Sequence, residues 1–292
     1  MIVITTPTGD IGSRVLSQVL EAGAEVRVVA RDPGKLPTDV RKHVDFVKGS
    51  HADPAAIADM LDGAEAVFWL PPGPPGSAGP HEAYVEFSQA FVDALPGSEV
   101  RRVVGVSAVG RDWPEPAGHV TASVEMDRRI GATGVAYRAL ACVSLMDNML
   151  RQAEPIRSLG MFFGPTPADL PQQHVAKSDV AQLSAELLLD GGWTGVEELP
   201  LCGPEDLSFN QMAEVVSDVL GRDVNYQPIP MDAFRSTMLE AGASPGMADA
   251  YVEMLSAKAA GMDAAGCAGE RGLTPTTFRE WCVRELRPAV EG

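Results

Sequence analysis

Two glycines near the N-terminus lie where backbone amides could bind a phosphate group. Gly9 and Gly12 fall between a β-branched run, Ile2-Val3-Ile4, and an amphipathic stretch from Ile11 to Ala22. Glycine lets a backbone approach a pyrophosphate closely, and the N-terminus of the following helix carries the positive end of its dipole. The same pattern occurs in βα turns that bind nothing, so a purely structural turn is the alternative. The residues that this pattern predicts to hold a dinucleotide are Thr6, Thr8, Gly9, Asp10, Ile11 and Gly12.

The residues after the second predicted strand bear on the kind of dinucleotide. The run Val26–Ala30 is followed by Arg31 and Asp32, with Lys35 in the next turn. An acidic residue here receives the ribose hydroxyls of NAD, whereas an arginine accommodates the 2′-phosphate of NADP. Arg31, assisted by Lys35, therefore predicts NADP(H). Two alternatives remain: Asp32 would favour NAD if the register shifted by one residue, and Arg31 could be a solvated surface charge.

The elements that must position these residues alternate along the first half of the chain. Further apolar runs typical of buried strands are Val44–Val47, Ala66–Leu70, Val103–Val106 and Val135–Leu140, and the predicted helices between strands are Ile11–Ala22, Pro54–Leu61, His81–Leu95 and Val120–Ile130. Such alternation, with near-continuous apolar strands, predicts an α/β fold with a Rossmann-type doubly wound parallel sheet. Ligands bind at the carboxyl ends of strands in such sheets. Ser107, at the end of the fifth predicted strand, is therefore a candidate for the cofactor site; the alternative is a serine that only closes the turn after that strand.

The second half of the chain follows a looser pattern. Short predicted strands alternate with helices after about Leu150, and the chain is mainly helical from Met231 to Leu286. We expect residues 1–150 to form the dinucleotide-binding domain. Residues 151–292 should form a smaller substrate-binding lobe of mixed α/β and then helical structure, within one compact body.

Composition excludes several other classes of protein. The net charge of −17 argues against general binding to nucleic acids, which depends on neutralising phosphates. The four cysteines have neither C-x-x-C nor metal-ligand spacing, so we expect reduced thiols and no metal site. No apolar run approaches the roughly 20 residues that span a bilayer, and a strand at Met1–Thr6 leaves no room for a signal peptide. We therefore expect a cytoplasmic monomer or homodimer that acts on a small molecule.

Several further motifs follow the N-terminal turn in a fixed order. They are Val26 to Pro33, Phe68 to Pro72, Val106 to Gly110, Thr133 to Arg138 followed by Asn148, Val175 to Ala181, Leu201 to Val224, and Arg271 to Trp281. Together with the turn, this series resembles the NmrA-like family of atypical short-chain dehydrogenases. The resemblance implies an NADP-binding fold shared by reductases and by regulators that sense the cofactor. It also implies that Leu70, Pro71 and Pro72, at the end of the fourth strand, lie against the adenosine side of the cofactor. This sequence departs from the family pattern at Thr6, which replaces a glycine, and at Ser50, which replaces an acidic residue.

The catalytic pair of typical short-chain dehydrogenases, Tyr-x-x-x-Lys, is absent from this sequence. The residues four positions after the tyrosines are Ser88, Ala141, Pro230 and Leu255, and no lysine occurs between Lys48 and Lys177. The family's H-x-x-x-E motif falls on Ser123 and Asp127, one helical turn after His119.

Three residues are candidates for a substrate pocket. His119 is either a proton donor or a surface histidine at the start of a helix, Tyr137 is expected to pack or brace, and Asn148 follows from the resemblance. Asp179 is expected to cap the helix that follows it.

We therefore predict an NADPH-dependent reductase that passes hydride to a quinone or conjugated carbonyl, without a Tyr-Lys pair. The alternatives are a non-catalytic NADP-binding redox sensor and an enzyme of specialised metabolism on the same fold.

Overall fold

The chain alternates strands and helices in its first half and forms shorter, mixed elements in its second half. The computed structural model describes residues 1–269 and 272–292. The strands are β1 (Ile2–Ile4), β2 (Val26–Ala30), β3 (Val44–Lys48), β4 (Ala66–Trp69), β5 (Arg102–Ala108), β6 (Ala136–Cys142), β7 (Ser144–Leu145), β8 (Met161–Gly164), β9 (Gln172–Val175), β10 (Val196–Leu201), β11 (Asp206–Leu207) and β12 (Asn225–Pro228). The α-helices are α1 (Asp10–Glu21), α2 (Pro54–Leu61), α3 (Gln89–Ala94), α4 (His119–Gly131), α5 (Ala153–Leu159), α6 (Lys177–Leu189), α7 (Phe209–Leu220), α8 (Met231–Glu240), α9 (Pro245–Ala259), α10 (Met262–Gly266), α11 (Phe278–Trp281) and α12 (Arg287–Glu291).

The chain divides into two units, each made of separate stretches of sequence. Unit 1 comprises Met1–Ala108, Ala122–Ala141 and Val180–Leu199, and unit 2 comprises Val109–Thr121, Cys142–Asp179 and Pro200–Gly292. The expected single division at residue 150 differs from this arrangement because β10, late in the sequence, returns to the sheet that the first half builds.

The central sheet confirms the expected α/β, Rossmann-type doubly wound fold. Within the described residues it has seven strands in the order β10-β6-β5-β4-β1-β2-β3. The pairs β1–β2, β2–β3, β1–β4 and β4–β5 are parallel, with Ile4 opposite both Val28 and Phe68. The strand order reverses direction between β1 and β4, which is the switch point where ligands bind in such sheets.

Helices α1 and α2 agree closely with their prediction. In α1 the buried face consists of Ile11, Gly12, Val15, Leu16 and Val19, the spacing that places side chains on one side of a helix. Helix α2 begins after Asp53, whose side chain accepts a hydrogen bond from the Ala55 amide, and proline occupies its first position.

The helix predicted over His81–Leu95 is two helices. A π-helix covers His81–Glu86, and α3 begins only at Gln89. Between them the Ser88 hydroxyl accepts a hydrogen bond from the buried Trp69 indole at 3.2 Å. The Trp69 ring stacks on Phe91, with ring centroids 3.9 Å apart.

Unit 2 combines helices with two small sheets, in the orders β11-β9-β7 and β12-β8. Its apolar core includes Phe162, Met212, Phe278 and Trp281. Of the stretch expected as a terminal helix, Arg271 lies outside the described residues, and α11 begins at Phe278. No helix in the described part of the chain is both long and apolar enough to cross a membrane.

The expectation of reduced cysteines is wrong for one pair. Cys202 and Cys267 form a disulfide in unit 2, with their Cα atoms 5.9 Å apart although they are 65 positions apart in sequence. Cys142 and Cys282 are buried and, within the described part of the chain, are not in a disulfide. Sequence spacing could not reveal the bridge, because the fold alone brings the end of β10 beside the end of α10.

Candidate functional site

The turn between β1 and α1 is strained at one residue. Thr6 has φ of +47°, the only non-glycine residue with positive φ among residues 1–269 and 272–292. A β-branched residue in this region is an outlier, and such strain persists mainly at functional sites. The Thr6 hydroxyl oxygen is also buried without a hydrogen-bonding partner. A ligand that accepted a hydrogen bond from this hydroxyl would satisfy it.

The rest of the turn leaves backbone open for a phosphate. Helix α1 starts after Gly9, which supplies no side-chain cap, although its own amide donates to the Thr6 carbonyl at 2.9 Å. A Cβ atom at Gly12 would lie 2.2 Å from that same carbonyl oxygen. Gly12 therefore serves close helix-to-turn packing, as its place in the motif predicts. Thr8 and Asp10 are exposed, whereas Ile11 is buried in the helix face. The turn fits a dinucleotide pyrophosphate in its backbone, with the Thr6 hydroxyl as an extra donor.

A threonine hydroxyl joins this turn to the end of β4. Thr5 donates to the Phe68 carbonyl at 2.9 Å and accepts a hydrogen bond from the Leu70 amide at 2.9 Å. This pair of bonds fixes the carboxyl ends of β1 and β4 side by side. The predicted edge residues Leu70 and Pro71 therefore lie beside the phosphate turn, and Pro72, which follows them, is exposed.

The residues after β2 take distinct local roles. The Asp32 side chain accepts a hydrogen bond from the Gly34 amide at 2.9 Å and so caps a short 3₁₀ helix, Pro33–Lys35. Arg31 and Lys35 are exposed, and within the described residues no hydrogen bond or ion pair involves the Arg31 side chain. The carboxylate that would compete for NAD is engaged, while the guanidinium is available for a phosphate.

His51, which sequence reasoning missed, lies at the same end of unit 1. Its ring packs edge-on against Trp69 and Phe87, with centroids 5.4 and 4.9 Å away. Burial lowers its pKa to about 4; a backbone hydrogen bond with Leu70 acts in the opposite direction, and the positive charge of Arg31 adds slightly to the lowering. Its Nε2 atom is buried without a partner. The ring is therefore neutral near pH 7 and contributes an acceptor, not a charge.

The end of β5 holds a buried polar group. The Ser107 hydroxyl donates to Asp127 Oδ2, and the Tyr137 hydroxyl donates to Asp127 Oδ1 at 2.6 Å. Tyr137 is fully buried in β6, so within unit 1 it braces strand β6 against α4. Asp127 was visible in the sequence only as the displaced second position of a family motif, and its partners come from two strands.

Two of the candidates for a substrate pocket, His119 and Asn148, lie in unit 2. The alternative of a surface histidine is wrong for His119, because its side chain is buried. It donates a 3.3 Å hydrogen bond to the Met247 carbonyl, and its ring packs on Tyr251. Burial lowers its pKa. Asn148 is exposed in the 3₁₀ helix Met146–Gln152.

The expected role of Asp179 as a helix cap is wrong. Its carboxylate accepts hydrogen bonds from the amide and hydroxyl of Thr276, at 2.9 and 2.5 Å. The amide at the start of α6, that of Lys177, donates instead to Asp147 at 3.0 Å. The Asp179 carboxylate is therefore bound by Thr276, which is 97 positions away in sequence, and not by an amide of its own helix.

Unit 2 also contains a buried ion pair that the sequence did not suggest. Lys258 Nζ lies 2.5 Å from Asp263 Oδ2, and Asp263 Oδ1 is buried without a partner. Burial raises the pKa of Asp263, an effect that Lys258 opposes. Burial, reinforced by the positive charge of Lys258, lowers the pKa of His174 to about 4.

Comparison with known proteins gives a consistent picture. Residues 7–191 match the family described as NAD(P)H-binding. A (4-alkanoyl-5-oxo-2,5-dihydrofuran-3-yl)methyl phosphate reductase of Streptomyces griseus is 28% identical over 288 residues, 96% of each chain. An NADPH-dependent quinone oxidoreductase of Escherichia coli, solved with NADPH, superposes with a TM-score of 0.77 at 20% identity, covering 96% of this chain and 98% of the other. A protein of Staphylococcus aureus described as a nucleoside-diphosphate-sugar epimerase superposes with a TM-score of 0.82 at 16% identity, covering 97% and 99%. At these identities the two structures show a shared fold alone.

Proposed function

The chain belongs to the NAD(P)H-binding family, and we propose that it is an NADPH-dependent reductase acting on a small electrophilic molecule. This membership agrees with the resemblance to NmrA-like atypical short-chain dehydrogenases. The observation that carries the proposal is the turn before α1, where strained Thr6 has a buried hydroxyl without a partner. Strain and an unsatisfied polar group both cost stability, so a ligand that uses them explains their presence.

The choice of NADP(H) over NAD(H) rests on the loop after β2. Arg31 is exposed and makes no ion pair among the described residues, whereas Asp32 is engaged in capping its own turn. A guanidinium forms strong charge-assisted hydrogen bonds with a phosphate, and a carboxylate next to a 2′-phosphate would repel it unless held away. Asp32 is held in this way by the Gly34 amide.

The proposed acceptor is a conjugated carbonyl or a quinone. When bound, NADPH would supply a hydride and become NADP⁺, in which the nicotinamide ring carries a positive charge. In a conjugated acceptor the incoming negative charge delocalises, so a strong protein acid is not needed and water can supply the proton. The protein then contributes orientation and exclusion of water. The name of the Streptomyces relative denotes a carbon–carbon double bond conjugated to carbonyl groups, which supports this class.

A redox sensor is the second candidate. It is favoured by the burial of Tyr137, whose hydroxyl is bonded to Asp127 and so is not placed as an exposed acid. A sensor would bind NADP(H) without turning it over.

Two measurements test the proposal. Calorimetric titration should show that NADP⁺ binds more tightly than NAD⁺, and that Arg31→Glu reduces this preference by about tenfold or more, as loss of a charge-assisted bond to phosphate requires. Arg41→Glu, a matched change on the nearby 3₁₀ helix Val40–Lys42, should leave the preference unchanged. An unaltered preference in Arg31→Glu contradicts the assignment.

Turnover is measured by the loss of NADPH absorbance with a panel of unsaturated lactones, conjugated ketones and quinones. We expect consumption with at least one of these classes. Tight NADP⁺ binding with no turnover of any acceptor would reject the reductase and leave the sensor.

A further inference from the structure

An imidazole ring after β3, in unit 1, has one nitrogen that lacks a hydrogen-bonding partner. The His51 side chain lies three positions past the end of β3 and is 7% exposed. Its Nε2 atom is buried, and no group among the described residues bonds to it. A buried polar atom left in this state lowers the stability of the free protein, so its presence needs an explanation.

The two nitrogens of this ring have different roles. The pKa of His51 is lowered to about 4, chiefly by burial, so near pH 7 the ring is neutral and has one donor and one acceptor. Its hydrogen bond with the Leu70 backbone acts to raise the pKa, which is the effect of donation by the ring to a carbonyl. Since Nε2 has no partner, the nitrogen that donates to Leu70 is Nδ1. Nε2 is therefore an acceptor, which only a hydrogen-bond donor can satisfy.

The neighbours of the ring hold it in place but cannot serve this acceptor. The ring packs edge-on against Trp69 and Phe87. The indole N–H of Trp69 is committed to the Ser88 hydroxyl at 3.2 Å, and the Phe87 side chain has no donor. A buried acceptor on a side chain fixed by packing can discriminate strongly between ligands that differ in one polar group.

His51 lies near the residue that we propose binds the 2′-phosphate. The Gly49 amide donates to the Ala30 carbonyl at 3.2 Å, so the chain that leaves β3 runs beside the chain that leaves β2. The charge of Arg31 is close enough to contribute to the lowered pKa of His51. In NADP the adenine base and the 2′-phosphate are attached to neighbouring carbon atoms of one ribose. A cofactor whose phosphate binds Arg31 therefore brings its adenine to the same edge of the sheet.

We propose that His51 recognises the adenine base by accepting, at Nε2, a hydrogen bond from its exocyclic amine. This inference rests on the proposed function, because it requires NADP(H) to bind with its 2′-phosphate at Arg31. The exocyclic amine is the one hydrogen-bond donor of an adenine base that is attached to ribose. A purine with a carbonyl oxygen in place of the amine would present an acceptor to an acceptor, so His51 selects against it.

The test compares NADP⁺ with its deaminated analogue, in which hypoxanthine replaces adenine. The wild-type protein should bind the analogue about tenfold more weakly or worse, because the buried acceptor is then left unsatisfied. His51→Leu removes both ring nitrogens and should reduce this preference to less than about threefold. His43→Leu, at an exposed position just before β3, is the matched control and should keep the wild-type preference. Affinities are measured by calorimetry, without any acceptor substrate.

The outcomes separate this inference from the proposed function. Equal affinity of the wild-type protein for NADP⁺ and the analogue overturns the inference without any variant, and so does an unchanged preference in folded His51→Leu. If that variant does not fold, His51→Asn takes its place. Asparagine keeps a donor for the Leu70 carbonyl but has no atom at the place of Nε2, so it should lose the preference to the same extent. Failure of the wild-type protein to bind either dinucleotide would instead reject the proposed function.

Discussion

Replacing Thr6 with glycine should make the free protein more stable and its binding of cofactor weaker. Thr6 has φ of +47° and a buried hydroxyl without a partner. A non-glycine residue held in this region costs of order 1–3 kcal/mol, and a buried unsatisfied hydroxyl costs about 1–3 kcal/mol more. Glycine removes both penalties but loses up to about 1 kcal/mol to the greater freedom of the unfolded chain. The net expectation is a gain of about 1–5 kcal/mol in the free energy of unfolding.

The same substitution removes a donor from the proposed pyrophosphate site. A hydrogen bond to a charged group contributes about 1.5–3 kcal/mol, so we expect NADP⁺ affinity to fall by at least about tenfold. Unfolding is followed by urea denaturation without cofactor, and binding by calorimetry. Thr6→Ser, which keeps the hydroxyl, should retain most of the affinity.

Thr8→Gly is the matched control for this prediction. Thr8 lies two residues further along, is exposed, and does not have a positive φ. Glycine there should lower stability, by up to about 1 kcal/mol. A Thr6→Gly protein that is less stable than wild type would refute the reasoning about strain. If Thr6→Gly is more stable than wild type but binds NADP⁺ with unchanged affinity, the role of the hydroxyl in binding is refuted while the reasoning about strain stands.

The remaining predictions concern packing, protonation and the disulfide. Gly105→Ala should lower the free energy of unfolding by about 1–3 kcal/mol in urea denaturation, since its Cβ would meet the Tyr137 hydroxyl, whereas Gly97→Ala, with open space around it, should change it by less than about 1 kcal/mol. The pKa of His51 is about 4 when folded against 6.5 when unfolded, so the unfolded state binds more protons between these values. Stability should therefore fall as the pH drops from 6.5 toward 4, by up to about 3 kcal/mol for this group, and thermal melts of His51→Gln should show a shallower fall; an equal slope in both proteins contradicts the assignment. Cys202→Ser removes the disulfide with Cys267, whose cysteines are 65 positions apart in sequence. It should lower the free energy of unfolding by about 2–4 kcal/mol in denaturation without reductant. The difference must vanish when the wild-type protein and the variant are both reduced.

Local sequence signals predicted the parts of the fold that depend on short stretches. The apolar strands around β1, β2 and β4 and the proline-started helix α2 were identified because burial and capping act within a few residues. The break between the π-helix His81–Glu86 and α3 was not, because it accompanies a hydrogen bond between Ser88 and Trp69. Such a tertiary contact leaves no periodic trace in the sequence.

The candidate site divides in the same way. The turn at Gly9 and Gly12 and the charge at Arg31 are local features, and sequence spacing was enough to propose them. Asp179 looked like a helix cap because its sequence neighbours are those of a cap, but Thr276 binds its carboxylate. Likewise, His51 gave no signal, since its altered pKa comes from burial by aromatic residues of other elements.

Thr6 shows where a departure from a motif was more informative than the motif itself. In the sequence, threonine in place of glycine weakened the evidence for a phosphate-binding turn. In the structure, Thr6 has the left-handed backbone conformation that is typical of glycine, although this conformation is sterically unfavourable for a residue with a Cβ atom. If threonine were merely accommodated at this position, the backbone would have moved to a negative φ or the hydroxyl would have found a hydrogen-bonding partner. Thr6 keeps a positive φ, and its hydroxyl has no partner. The turn is therefore held by its surroundings, by the Gly9 amide on the Thr6 carbonyl and by Gly12 packed against it, which is the preorganisation that binding a pyrophosphate requires.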